Sequence, residues 1–177
     1  MTKFDQFICG QCGALKTLYQ GGYILPFLMV LYATIDILGF VTAENETESP
    51  GVRFRKFVSK YIRPYLEDIN ADDLWGARCA LLHTGTPKST LSQRGEARQV
   101  LYSWGTADNS LNIRVIEQSS TPHRYVAVTV EHLYESMIDG LEDLARELNE
   151  NSTLNQCCIE RVDHFYAHVP VGKKGTV

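Results

Sequence analysis

The sequence lacks two features that would place it outside the ordinary globular class. It has no internal repeat, and it does not open with the charged start, apolar run and small-residue cleavage site of a secretory leader. Its five cysteines make an odd count, which complete disulfide pairing cannot satisfy. We therefore expect a cytoplasmic protein in a reducing environment. A hydrophobic content of 44% in 177 residues excludes a disordered chain and predicts a single domain over residues 1–177.

A membrane span is also not expected. The longest apolar run, residues 23–41, contains Pro26, Asp36 and Gly39 and has no flanking cluster of Lys or Arg. This pattern favours a central core helix. Asp36 is the only charge in the run, and an unpaired buried carboxylate is costly, so we predict that it faces Arg78 or a group of backbone amides.

Helical spacing of apolar residues predicts a mainly α protein. A change to alternating apolar residues after residue 99 predicts a small antiparallel β meander over about 99–130, inserted before a helix at 131–149. Residues 169–177 are expected to form a flexible tail. The other predicted helices are 3–20, 23–40, 52–66, one from a cap at Asn70, Asp72 or Asp73 to His83, and 154–167.

Basic residues form a stripe on the predicted helix 52–66, opposite its apolar side. The net charge of −4 gives no overall attraction for nucleic acid, so phosphate binding would need such a local patch. The simpler interpretation of the stripe is an ordinary solvated helix face, and the functional interpretation is a surface that binds RNA phosphates. The candidate RNA-binding residues are the stripe of Arg53, Lys56, Lys60 and Arg63, with Lys88, Arg94 and Arg98 after His83.

The cysteines and histidines do not follow a standard metal-site spacing. Cys9 and Cys12 would need Cys157 and Cys158 to complete a zinc site, and adjacent cysteines chelate less well than a spaced pair. Glu160, His164 and His168 share one predicted helix face, but the spacing is not that of a metalloprotease helix. We predict no metal and no cofactor; a small metal-binding regulator is the weakest alternative.

Arg78 and His83 stand at the end of an otherwise apolar helix that stops at Gly85 and Pro87. An arginine among apolar residues needs a carboxylate, a phosphate or access to solvent. The spacing alone is not distinctive, because Arg161 and His168 also fit it. The embedded charge and the Gly/Pro stop after the histidine distinguish the first pair.

The stretch DDLWGARCALLHTG, preceded by LPFLMVLYATIDILGF and the basic helix, resembles the HEPN superfamily of helical-bundle proteins. These proteins are marked by an Arg, four to six residues, then a His at a helix end. The resemblance covers roughly residues 3–85. It implies an antiparallel bundle and a metal-independent RNA-cleaving site of Arg78 and His83, composed from two subunits of a homodimer. The contact predicted between Asp36 and Arg78 would make Asp36 a supporting residue of that site.

The resemblance also implies a role like those of toxin–antitoxin, defence or stress-response proteins. An antitoxin or a regulatory protein is then a candidate partner. Cys79 stands where nuclease members commonly carry a polar residue. The alternative expectation is therefore a non-catalytic HEPN-like module that binds RNA, nucleotide or protein, with Arg78 as a structural ion-pair member.

Overall fold

The fold is mainly helical. The computed structural model describes residues 2–66 and 68–166, with side chains through Asp163. The helices of this part are α1 Lys3–Gln20, α2 Ile24–Val41, α3 Pro50–Phe57, α4 Ala71–Thr84, α5 Thr90–Arg94, α6 Ser110–Glu117, α7 Val130–Glu150 and α8 Ser152–Tyr166. The strands are β1 Gln99–Ser103 and β2 Tyr125–Thr129.

Helix α2 lies at the centre of the helical core and contacts α1, α3, α4 and α8. Its inward side chains, including Phe27, Leu31 and Ile35, are fully buried. Of the described helices it alone has the length and composition to cross a membrane, a test that core helices of globular proteins also pass. Half of it is buried inside the fold, which leaves its other face only partly covered.

Both ends of α4 are set by local chemistry. The Asn70 side chain accepts a hydrogen bond from the Asp73 amide at 2.9 Å, and the Asp73 carboxylate accepts one from the Asn70 amide at 3.1 Å. This reciprocal pair satisfies amides that the first turn leaves free. Gly85 ends the helix in the left-handed conformation, with φ of 62°. Asn70, one of the three predicted caps, begins the helix, and the predicted stop at Gly85 is confirmed.

The basic helix predicted at 52–66 is not a single regular helix. After α3, a π-helical turn over Val58–Ile62 and a 3₁₀ turn over Arg63–Tyr65 continue the same element. Helix α7 packs directly against the π-helical turn. A Cβ atom at Gly140 would overlap the Tyr61 carbonyl oxygen, so the close approach of the two elements requires glycine.

The predicted antiparallel meander is wrong. Strands β1 and β2 pair in parallel, with Gln99 opposite Tyr125 and Ser103 opposite Thr129. The segment expected as the middle strand forms α6 instead, which contacts both strands. Parallel strands need a long crossover, which is usually helical. Within α6, Asn112 and Ile116 are less exposed than the other residues, and they lie one helical turn apart. The segment LNIRVI largely alternates apolar with polar residues, and this pattern led to the prediction of a strand.

The C-terminal helix is found at Ser152–Tyr166, close to the predicted 154–167. Its buried Arg161 donates hydrogen bonds to the carbonyls of Val41 and Ala43, which ties α8 to the end of α2. The tail predicted over 169–177 lies outside the described residues.

The packing at Gly140 predicts opposite effects for two glycine substitutions. Gly140→Ala should destabilise the fold by about 1–3 kcal/mol, because the added methyl group forces α7 away from the π-helical turn. Gly10→Ala on the exposed face of α1 should stabilise it by about 0.5–1 kcal/mol, because nothing lies within 4 Å of the new Cβ. Denaturant unfolding of both variants measures the difference; equal stability would contradict the close approach.

Candidate functional site

An ion pair joins α2 to α4. Arg78 Nη2 donates to Asp36 Oδ2 at 2.5 Å, so the predicted contact of Asp36 with Arg78 is confirmed. The two side chains are 15% and 23% exposed, so neither is sealed in the core. The pair lies at the partly covered face of α2, where a ligand can approach it.

Arg78 also contacts the histidine at the end of its own helix. Its Nη1 lies 3.0 Å from His83 Nε2, although five helical residues place the two Cα atoms about 140° apart around the axis. The length of the arginine side chain bridges that angle. Because a guanidinium can only donate, Nε2 is the acceptor in this contact. His83 is exposed, and its ring is therefore accessible.

The guanidinium of Arg78 is held on a third side. Its Cζ lies 5.1 Å from the ring centre of Trp75, one turn earlier on α4. Its Nε is buried and has no hydrogen-bond partner in the described part of the chain. Packing against Trp75 and the contact with Asp36 thus fix the plane of the guanidinium and direct Nη1 towards His83.

Cys79 follows Arg78 and is only partly exposed. Burial raises the pKa of its thiol, and the neighbouring Arg78 guanidinium only partly offsets this effect. The thiol is therefore protonated at neutral pH and is a poor nucleophile. Cys79 contributes no obvious chemistry to the site.

Partly buried apolar side chains share the helix faces that carry the ion pair. Met29 and Ala33 lie two turns and one turn before Asp36 on α2, Ile37 follows Asp36, and each is only partly exposed. Leu82 lies one turn after Arg78 on α4 and is also only partly exposed. We call this mostly buried surface, with its charged cluster, the Asp36 face.

Acidic residues from other elements pair with the predicted basic stripe. Lys56 pairs with Glu48 at 2.5 Å and Lys60 with Glu147 at 2.6 Å. The guanidinium of Arg53 packs over Phe40. Neither Arg53 nor Arg63 has an ion-pair partner among the described residues. RNA binding by the stripe stays a prediction, and phosphates would have to compete with these carboxylates.

The three basic residues after His83 differ in their partners. Arg98 forms an ion pair with Asp73, in which Nη2 donates to Oδ2 at 2.6 Å, and it also donates to the Asp68 carbonyl. Arg94 has a loose, exposed contact with Glu96 at 4.0 Å. Lys88 is exposed and has no ion-pair partner in the described ranges. Lys88 is therefore the most available cation of this group.

The metal-site alternative gains no geometric support in the described part of the chain. No group of three or more His, Cys, Asp or Glu residues is positioned there to hold an ion. Cys158 is buried and donates to the Val41 carbonyl at 3.4 Å, whereas Cys9 is exposed. The His164 side chain and His168 lie outside the described residues.

No protein-family model, curated protein or solved structure matches the chain. The candidate site therefore rests on its own geometry and on the short resemblance carried by Arg78 and His83.

Sequence reasoning did not identify Trp75 or the partners of the stripe. Trp75 had a detectable signal, because it precedes Arg78 by three residues and so shares its helix face. Glu147 had none, since it lies on α7, 87 residues after Lys60, whereas Glu48 is only eight residues before Lys56.

The Asp36 contact predicts a marked loss of stability when it is removed. Asp36→Ala should destabilise the fold by about 2 kcal/mol, since it leaves a mostly buried guanidinium without its carboxylate. Asp72→Ala is the matched control, because Asp72 pairs with Arg55 but is 54% exposed, and it should cost less than about 1 kcal/mol.

A double-mutant cycle isolates the interaction. Asp36→Ala/Arg78→Ala should be less destabilised than the sum of the two single variants, because the double variant strands neither charge. Additive losses in urea unfolding would show that the two residues are not coupled.

Proposed function

We propose that the protein is a HEPN-like, metal-independent endoribonuclease that acts as a cytoplasmic homodimer. The observation that carries the proposal is the contact between Arg78 and His83, with Arg78 oriented by Asp36. The toxin, defence or stress role belongs to the same proposal and rests on the resemblance alone.

The chemistry of RNA cleavage suits these side chains. Attack by the 2′-hydroxyl on the adjacent phosphorus needs a base for that hydroxyl and an acid for the departing 5′ oxygen. It also needs positive charge near the phosphorane oxygens. An imidazole serves as base or acid near neutral pH, and a guanidinium presents paired donors to phosphate oxygens. In the proposed site, His83 transfers a proton and Arg78 binds the phosphate.

The proposed dimer supplies the second proton-transfer group. Each chain contributes one His83, whereas the reaction uses both an acid and a base. A two-fold interface on the Asp36 face would bring two histidines and two arginines together, because an isologous contact places the same patch on both subunits. Met29, Ala33, Ile37 and Leu82 would each contribute a partly exposed apolar side chain to that interface.

A non-catalytic HEPN-like module is the second candidate. It is favoured by the ion pair itself, since Arg78 is already neutralised by Asp36 and packed on Trp75. In this alternative Arg78 is a strut between α2 and α4, and the Asp36 face binds RNA, nucleotide or a protein such as an antitoxin. The two candidates make different predictions for His83.

Substitution of the two residues separates these candidates. Arg78→Ala and His83→Ala should each leave a folded dimer and reduce RNA cleavage in EDTA by at least about a hundredfold. The matched controls are Arg114→Ala and His123→Ala, which change exposed residues of the same types away from the cluster. If His83→Ala cleaves RNA like the wild type, Arg78 is only structural.

A mixed dimer tests whether the site is composite. In a forced heterodimer of one wild-type and one Arg78→Ala/His83→Ala subunit, cleavage should fall far below half of the wild-type rate, because acid and base come from different chains. A rate of one half would mean that each subunit works alone.

A further inference from the structure

A groove opens beside the end of α4. Leu25 from the start of α2, Leu81 and Gly85 from the end of α4, and Tyr102 and Trp104 from β1 and its turn line it. Its volume is about 430 Å³, which is within the range of small-molecule sites. We call it the Trp104 groove. Gly85 is two residues from His83, so one edge of the groove adjoins the candidate site.

The indole of Trp104 is exposed but rests on a fixed turn. It is 52% exposed, which is unusual for the largest apolar side chain, and has no ring partner within the described residues. The next residue, Gly105, has φ of 70°, and its amide donates to Glu131 Oε1 at 2.6 Å. The ring is thus an aromatic surface on a rigid support.

A second pocket, with a basic lining, begins one residue further along the chain from the groove. Pro87 lines the groove, and the next residue, Lys88, lines a second pocket together with Arg124 and Tyr125. Two carbonyls, of Ser92 and Gln93, accept hydrogen bonds from Arg124 Nη2 and hold its guanidinium in place. No acidic residue is among the lining residues described for either pocket. This distinguishes them from the stripe on α3, where carboxylates already neutralise the lysines.

We propose that the Trp104 groove binds an unpaired nucleobase of the RNA strand, with Lys88 and Arg124 contacting phosphates further along the same strand. An aromatic face and an unpaired cation are the combination that recognises single-stranded RNA. This proposal rests on the proposed function and specifies where the substrate lies. The RNA strand would then pass the end of α4 and would not follow the basic stripe.

The groove is expected to bind any of the four RNA bases. The hydroxyl groups of its polar side chains are already engaged, since Tyr102 is bonded to Tyr32 at 2.6 Å and Thr86 to Thr84 at 2.7 Å. Recognition therefore depends on stacking against apolar walls, which every base can provide. Double-stranded RNA, whose bases are not free to enter, should bind less tightly.

Binding of a non-cleavable strand tests the groove separately from catalysis. The probe is a short, fluorescent, single-stranded 2′-O-methyl oligonucleotide of mixed sequence, and its anisotropy is followed at several salt concentrations. Trp104→Ala should raise Kd about tenfold, and Trp104→Phe should retain most of the affinity. Lys88→Ala should lower the salt slope by about 0.7, whereas the matched control Lys16→Ala, at an exposed lysine of α1, should leave it unchanged.

Three results would overturn the proposal. They are wild-type affinity in Trp104→Ala, failure of the wild-type protein to bind the probe, and a change of oligomeric state in Trp104→Ala, which would make the groove a protein contact. Thermal unfolding checks that the variants fold, which the exposure of Trp104 and Lys88 leads us to expect.

Failure of the groove and failure of the nuclease proposal give different results. Cleavage that depends on His83 together with unchanged probe binding by Trp104→Ala rejects the groove alone. Probe binding that depends on Trp104 without any cleavage of unmodified RNA rejects the nuclease alone.

Discussion

The contact between Asp36 and Arg78 is the interaction on which the candidate site depends. It places the only charge of the apolar helix α2 against an arginine of α4, at 2.5 Å and at the edge of the core. Without the partner, each charge would carry an uncompensated desolvation penalty. The pair also sets the direction of the guanidinium, because Trp75 holds its face and Asp36 holds one end, leaving Nη1 to meet His83.

The remainder of the fold positions the end of α4. The cap at Asn70 begins the helix, and Gly85 ends it two residues after His83, so the histidine lies where the chain leaves the core. Strand β1 contacts α4, and Trp104, the residue after β1, lines the groove that Gly85 borders. A charged cluster and an apolar groove therefore both adjoin the chain around His83.

Much of this arrangement was predictable where the signal is local. The Asn70 cap, the Gly85 stop and the need of Asp36 for a partner all follow from short-range chemistry or from the cost of a buried charge. The prediction failed where the outcome depends on distant residues. The parallel pairing of β1 with β2 follows from the crossover through α6, and the ion pair of Lys60 follows from Glu147, 87 residues away. No short window of sequence around those positions contains that information.

The identity of the RNA ends after cleavage tests the central claim most directly. Attack by the neighbouring 2′-hydroxyl, assisted by Arg78 and His83, leaves a 2′,3′-cyclic phosphate on one fragment and a 5′-hydroxyl on the other. Purified protein should therefore yield these ends from single-stranded RNA in the presence of EDTA, and the His83→Ala variant should not. Fragments with 3′-hydroxyl and 5′-phosphate ends, or cleavage that EDTA abolishes, would contradict the account.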